Sequence, residues 1–248
     1  MRISFSDVGF SYDTQPILRD FYLDIPSAQK VAIVGVSGIG KSTILSLASG
    51  LSRPSHGHIT VSEQAPEIVL QEGRIGFLFQ TPALFPWLTC RENVSLPSKI
   101  AGVQIKTVEQ SSQLSTEQAM TMAGIEHAAD KYPHELSGGM RARAALAVQY
   151  YHQPELMLLD EPFANVDDIM KQALLRKLAI SPLYAVQTIV MVTHNIMDAV
   201  KFGDRVVVLN RTGGDLVHVC LDIETGFGLD ALTENLIEVE TEIREALQ

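Results

Sequence analysis

Val31-Ala32-Ile33-Val34 runs directly into Gly35-Val36-Ser37-Gly38-Ile39-Gly40-Lys41-Ser42, and this junction constrains the fold more than any other stretch of the chain. A short continuous apolar run bounded by a turn reads as a buried strand. Glycines at 35, 38 and 40 let the backbone turn back on itself and point successive N–H groups at one place. Thr43–Ser49 then reads as a helix. Strand, glycine loop and helix in succession predict an α/β core.

The spacing Gly-x4-Gly-Lys-Ser is the complete P-loop pattern. Gly35, Ser37, Gly38 and Gly40 would cradle the phosphates of a nucleoside triphosphate at the positive end of the following helix. Lys41 would neutralise the outer phosphates, the Ser42 hydroxyl would ligate Mg²⁺, and Thr43 would lie with the loop against the nucleotide. The pattern therefore predicts ATP and Mg²⁺ as ligands.

The rest of the chain bounds what this core can serve. Its 248 residues, 46% of them hydrophobic, suffice for one large domain or a core with a smaller lobe. A formal charge of -10 and the lack of a basic cluster argue against nucleic acid as a partner. Cys90 and Cys220 are too few for a disulfide framework and have no metal-ligand spacing, which fits a reduced, cytoplasmic setting. The N-terminus has no apolar signal core, and no apolar run approaches the roughly 20 residues of a membrane span. If the protein works at a membrane, another polypeptide is expected to cross it.

Residues 1 to 34 read as strands, with Ile3, Phe5, Val8 and Phe10 loosely alternating, followed by strands at Ile59–Val61 and Ile75–Phe79. From Pro82 the character changes. Residues 91–155 read as a helical lobe inserted into a core formed by 1–90 and 156–228. Within that lobe Lys106–Glu117 is polar and reads equally as a loop or a solvated helix, whereas Gln118–Ile125 has helical spacing. Leu156-Met157-Leu158-Leu159 and Thr188–Val192 are continuous apolar runs, the pattern of parallel strands buried on both faces. Arg205–Leu209 and Leu216–Leu221 flank Gly213-Gly214 as a hairpin. Residues 229–248 have a helical apolar period with acidic residues opposite.

Two acidic residues follow the first of those apolar runs. Asp160 is placed to hold Mg²⁺ at the end of a strand expected beside the P-loop strand. Glu161 follows, where a carboxylate can orient and deprotonate an attacking water. Leu136-Ser137-Gly138-Gly139-Met140 opens the helical run Arg141–Gln149, so Ser137 reads either as an ordinary N-cap or as part of a second anion site.

In this order the motifs resemble the ATPase subunit of an ABC transporter over essentially the whole chain. The resemblance implies a P-loop NTPase core with a mixed sheet, an N-terminal antiparallel β subdomain and an inserted helical subdomain. Gly35–Ser42 corresponds to Walker A and Leu158–Pro162 to Walker B, while Leu136–Met140 corresponds to the signature motif. By the same resemblance Tyr12 would stack on adenine. Gln80 would reach Mg²⁺ and the attacking water, Asp167 would lie in the D-loop, and His194 would contact the γ-phosphate. Ser137, Gly138 and Gly139 would complete the nucleotide site of a second subunit.

Phe85-Pro86-Trp87-Leu88-Thr89, and Met140 followed by Arg141 and Arg143, are similar to importer ATPases of the nitrate, sulfonate and taurine group. That group implies a homodimer closing on ATP, a membrane permease whose coupling helix meets Trp87 and Leu88, a solute-binding protein, and a peripheral place at the inner face of the membrane. The alternative reading is that Phe85 and Trp87 close the lobe onto the core. Four departures from the family pattern bear on rate and coupling: Met140 for glutamine, Asn165-Val166-Asp167 for Ala-Leu-Asp, Asn195 for Asp, and no arginine in Ala147-Val148-Gln149. A soluble ATPase of the family outside transport, an exporter ATPase and a non-catalytic module with an idle site stand as the other readings.

Overall fold

The computed structural model describes residues 1–13, 15–100, 114–164, 166–180, 187–212, 215–222 and 241–247. In chain order the strands are β1 (Ile3–Tyr12), β2 (Gln15–Ile25), β3 (Lys30–Val34), β4 (His56–Val61), β5 (Ile75–Leu78), β6 (Leu156–Asp160), β7 (Thr188–Thr193), β8 (Arg205–Thr212) and β9 (Asp215–Asp222). The helices are α1 (Lys41–Ala48), α2 (Pro66–Gln71), α3 (Cys90–Ser95), α4 (Thr116–Ala123), α5 (Gly138–His152), α6 (Asp168–Ile180) and α7 (Ile196–Phe202). Among the described residues no helix is long and apolar enough to cross a membrane.

Two sheets form. Strands β2-β1-β4 make an antiparallel sheet, and β5-β6-β7-β3-β8-β9 make a six-stranded mixed sheet. Strands β5, β6, β7, β3 and β8 run parallel, and β9 returns antiparallel to β8 with Arg205 opposite Asp222 and Thr212 opposite Asp215. Gly213 and Gly214, the expected turn, lie outside the described residues, as do 101–113, Asn165 and residues 229–240 of the expected C-terminal helix. Residues 241–246 are helical.

The strand order corrects one expectation. β6, which carries Asp160, does not lie beside the P-loop strand β3; β7 is inserted between them. Apolar runs mark which strands are central but not which neighbour each one takes, because pairing is decided far along the chain.

The continuous apolar runs divide their side chains between two cores by strand alternation. Val31, Ile33, Leu156, Leu158, Val190, Val192, Val207 and Leu209 face the core shared with the antiparallel sheet. Ala32, Val34, Met157, Leu159, Ile189, Met191, Val206 and Val208 face the core shared with the helices. The central sheet is thus buried on both sides, which fixes the level of its strand ends.

The helical segment is delimited by side-chain caps. Thr89 and Glu92 form a capping box at α3, and Ser115 and Gln118 form one at α4, which ends at Gly124 with φ 66°. Helix α5 covers the open edge of β5: Gln149 Nε2 donates to the Phe77 carbonyl at 3.3 Å, and His152 Nε2 lies 2.7 Å from the Gly73 carbonyl. Because a carbonyl only accepts, this His152 nitrogen carries the proton. A Cβ at Gly76 would lie 2.6 Å from Pro154 Cγ and 2.1 Å from Gln149 Oε1, so a side chain there would displace both.

Candidate functional site

The site lies where β3, β6 and β7 end on the same edge of the sheet, the edge at which parallel α/β sheets bind ligands. In parallel register Val34 is level with Thr193, and Asp160 is level with Val192. The loop after β3 turns through Gly38 (φ 78°) and Gly40 (φ 120°), and Gly40 is the N-cap residue of α1. At φ 120° a side chain would be strained, and a Cβ on Gly40 would meet the Ile17 methyl at 3.0 Å.

Lys41 is buried at the first position of α1, and its Nζ donates to the carbonyls of Gly35 (2.9 Å) and Val36 (3.1 Å). The ammonium is therefore folded back over the loop it follows. Burial lowers its pKa, while the nearby Glu161 and Asp160 carboxylates oppose that shift. Ser42 Oγ donates to Asp160 Oδ1 at 3.0 Å. This bond spans the intervening β7, because Ser42 projects from α1 rather than from β3. Burial pushes the Asp160 carboxyl above its usual range; the Ser42 hydrogen bond opposes the shift and the Glu161 charge adds to it.

Glu161 has φ 44°, in the left-handed region that few non-glycine residues adopt. Its N–H donates to the Val192 carbonyl at 3.0 Å, so the chain leaves β6 while still tied to β7. That turn carries the Glu161 side chain to His194, whose Nδ1 lies 3.0 Å from Glu161 Oε2. Glu161 is 15% exposed and His194 62% exposed, so the pair has a protected carboxylate and an accessible imidazole. His194 does not cap the helix after it. Asn195 does so, accepting from the Asp198 N–H at 3.1 Å.

Lys41, Ser42, Asp160, Glu161 and His194 thus form one cluster. Among the described residues no hydrogen bond joins Tyr12, Gln80, Ser137 or Asp167 to it. Tyr12, 53% exposed at the end of β1, meets Phe10 edge-on with ring centroids 4.9 Å apart. Gln80 is exposed just beyond β5. Ser137 is exposed and caps α5, accepting from the Met140 N–H at 3.3 Å, with Gly138 and Gly139 in the first turn. Asp167 caps α6, accepting from the Met170 N–H at 3.0 Å. Thr43 is buried in α1.

The segment after Gln80 is held by a residue that the sequence did not single out. Asn93, buried in α3, accepts from the Phe85 N–H (2.8 Å) and donates to the carbonyls of Phe85 (3.2 Å), Leu88 (3.0 Å) and Thr89 (2.9 Å). Its only signal in the sequence is a polar residue on an otherwise apolar helix face. Phe85 and Trp87 pack edge-on at 5.3 Å yet remain 44% and 68% exposed, so they do not close the lobe onto the core.

A glycine loop on a strand–helix junction, with a hydroxyl–carboxylate pair and a carboxylate–imidazole pair at the same sheet edge, defines a P-loop nucleotide-hydrolysing protein. Comparison with known proteins agrees. A family model described as ABC transporter matches residues 18–164. A protein of Brucella abortus biovar 1 (strain 9-941) named for ATP binding is 36% identical over 219 residues, covering 88% of this chain and 82% of that protein. The sulfate/thiosulfate import ATP-binding protein CysA 2 of Agrobacterium fabrum is 34% identical over 233 residues, covering 92% and 67%. Among solved structures, the dimeric post-hydrolysis ATP-binding cassette MJ0796 with ADP and Pi superposes with a TM-score of 0.75 at 26% identity, covering 90% of this chain and 99% of that one. The chain belongs to the ABC transporter family, as its ATP-binding and ATP-hydrolysing subunit.

Proposed function

We propose that this subunit powers solute import through a separate membrane permease, by closing with a second copy of itself on ATP. One observation carries the reading: the hydroxyl–carboxylate pair Ser42–Asp160 and the carboxylate–imidazole pair Glu161–His194 stand at the sheet edge where the glycine loop and Lys41 lie. Support for import comes from the relative named for sulfate and thiosulfate import. Support for the dimer comes from the dimeric cassette of the same fold.

In this reading the P-loop amides hold the phosphates, and Lys41 exchanges its two carbonyl acceptors for phosphate oxygens, a stronger charge-assisted pairing. Tyr12 stacks on adenine. Ser42, Asp160 and Gln80 offer oxygen donors only, a hard set that fits Mg²⁺, and the Ser42–Asp160 hydrogen bond already brings two of them side by side. When bound, the ion neutralises charge on the β- and γ-phosphates. Glu161 accepts the proton of the attacking water, with Gln80 and His194 orienting that water. Ser137, Gly138 and Gly139 of one copy close over the γ-phosphate held by the other, and Asp167 lies at the seam.

The exposed Phe85 and Trp87 form the apolar surface offered to the permease. The subunit then sits peripherally at the cytoplasmic face of the membrane, in a system that includes a solute-binding protein. The test is light scattering on Glu161→Gln with and without Mg-ATP. A shift from monomer to dimer is expected. A monomer at saturating nucleotide overturns the composite site.

A further inference from the structure

The groups that flank the water-handling pair are joined by an ion pair that the reaction itself does not use. Lys171, on α6, lies with Nζ 3.3 Å from Asp198 Oδ2 on α7 and 3.1 Å from Asp168 Oδ1. Lys171 and Asp198 are 12% and 9% exposed, whereas Asp168 is 92% exposed. The Lys171–Asp198 contact is thus the protected one, and the two residues are far apart in sequence.

Each end of this pair is tied to a different part of the site. On α6 the Lys171 N–H donates to the Asp167 carbonyl at 2.8 Å, and the Asp167 side chain caps the same helix. On α7 the Asp198 N–H donates to Asn195 Oδ1 at 3.1 Å, and the Asn195 N–H donates to Thr193 Oγ1 at 3.0 Å. His194 lies between those two residues and reaches Glu161. A cavity of about 160 Å³ opens between the helix starts, lined by Glu161, His194, Val166, Thr193, Lys171 and Asp198. The imidazole is 62% exposed. Further along, Ala199, Val200 and Phe202 anchor the body of α7 in the core, while its first turn is held by Ile196 against the edge of that core, by the Asn195 cap and by the ion pair.

We infer that Lys171 and Asp198 are positioning residues: their ion pair sets the first turn of α7 against α6 and thereby holds His194 in line with Glu161. This rests on the reading of Glu161 and His194 as the groups that handle the attacking water. The geometry also joins Asp167, expected at the seam between two copies, to the water-handling pair through Lys171. A displacement of α6 at that seam would be passed to the imidazole through one salt bridge.

The experiment compares Lys171→Met, Asp198→Asn and Lys171→Arg with the parent. ATP affinity is measured without hydrolysis, alongside kcat, KM and the His194 ring resonances in long-range ¹H–¹⁵N spectra. For Lys171→Met and Asp198→Asn, kcat is expected to fall about 10-fold to 100-fold, the cost of a small misplacement of a reacting group, with ATP affinity near that of the parent. Lys171→Arg, which keeps the charge, restores most of the rate. The His194 resonances shift in the first two variants.

If Lys171→Met and Asp198→Asn lower the melting temperature but leave kcat and the His194 resonances at parent values, the pair is only structural and the inference fails. Asp198→Asn keeps the side-chain shape and serves where Lys171→Met does not fold. A parent that binds ATP without hydrolysing it would sink the functional reading instead. The ring spectra would then still decide whether the pair positions His194.

Discussion

His194 Nδ1 lies 3.0 Å from Glu161 Oε2, although the two residues leave different strands and are separated by the whole of α6. The contact is possible because Glu161 takes a left-handed turn at the end of β6 while β7 continues one residue further before His194. A carboxylate held on one side by an imidazole keeps its second oxygen for water. Glu161→Gln should therefore lower kcat by about 10²–10⁴-fold, the usual range for losing a general base, with ATP affinity retained. His194→Ala should lower kcat while leaving Glu161 in place. Steady-state phosphate release and equilibrium nucleotide binding separate the two effects. Turnover at the parent rate in Glu161→Gln would remove Glu161 from the role of base.

Lys41 contributes charge to a loop whose other donors are backbone amides. Lys41→Ala should weaken ATP binding roughly 10-fold to 150-fold, the equivalent of one charge-assisted hydrogen bond of about 1.5–3 kcal/mol. Fluorescent-nucleotide titration measures this directly. Undiminished affinity would contradict the assignment of the loop.

His152 gives the protein an acid-side weakness remote from the nucleotide. Burial holds its pKa below the ordinary 6.5, against the opposing pull of its hydrogen bond to the Gly73 carbonyl. The folded state therefore binds this proton less readily than the unfolded chain. Its contribution to stability is complete above 6.5 and is lost as pH falls from there through the lowered folded value. Thermal unfolding of the parent should show melting temperature dropping across that interval. His152→Gln, which keeps a donor, should flatten the drop. Parallel curves for the two proteins would show that other groups cause it.

Asn93 and Trp87 allow the loop proposed to meet a permease to be tested on the subunit alone. Asn93→Ala leaves the Phe85 N–H without its acceptor and the Leu88 carbonyl without its donor, while the Phe85 and Thr89 carbonyls keep their backbone donors, so a loss of about 1–3 kcal/mol is expected in urea unfolding. Trp87 is the only tryptophan and already protrudes. Its fluorescence anisotropy should fall in Asn93→Ala as the loop loses its tether, whereas Trp87→Ala itself should change stability by less than about 0.5 kcal/mol.

What could be read from the sequence tracks how local each determinant is. The P-loop was legible because three glycines, a lysine and a serine act within eight consecutive residues. Strands β6 and β7 were legible because burial on both faces leaves no polar residue within the run. The neighbour of β6 was misjudged because parallel pairing is settled between segments tens of residues apart, and both candidate neighbours are equally apolar. Helix α2 was missed: six residues opening at Pro66 are too short for a period to show. Lys171 and Asp198 look like solvated helix residues until α6 and α7 are placed side by side. Ser137 carries an N-cap that satisfies the local rule completely, so its sequence alone does not separate a cap from a partner's phosphate site.

The insertion of β7 between β3 and β6 makes the sheet behave like a vernier. Lys41 and Ser42 follow β3, Asp160 and Glu161 lie at the end of β6 and His194 follows β7, and the relative heights of these strand ends are set by hydrogen-bond rungs. Changing loop length should be forgiven. Deleting one residue inside Thr188–Thr193 should not be, because it would move His194 by a rung, turn its side chain to the opposite face and interchange the two cores' shares of β7. The alignment of Glu161 with His194 therefore resides in the length of an interior strand that contains neither residue.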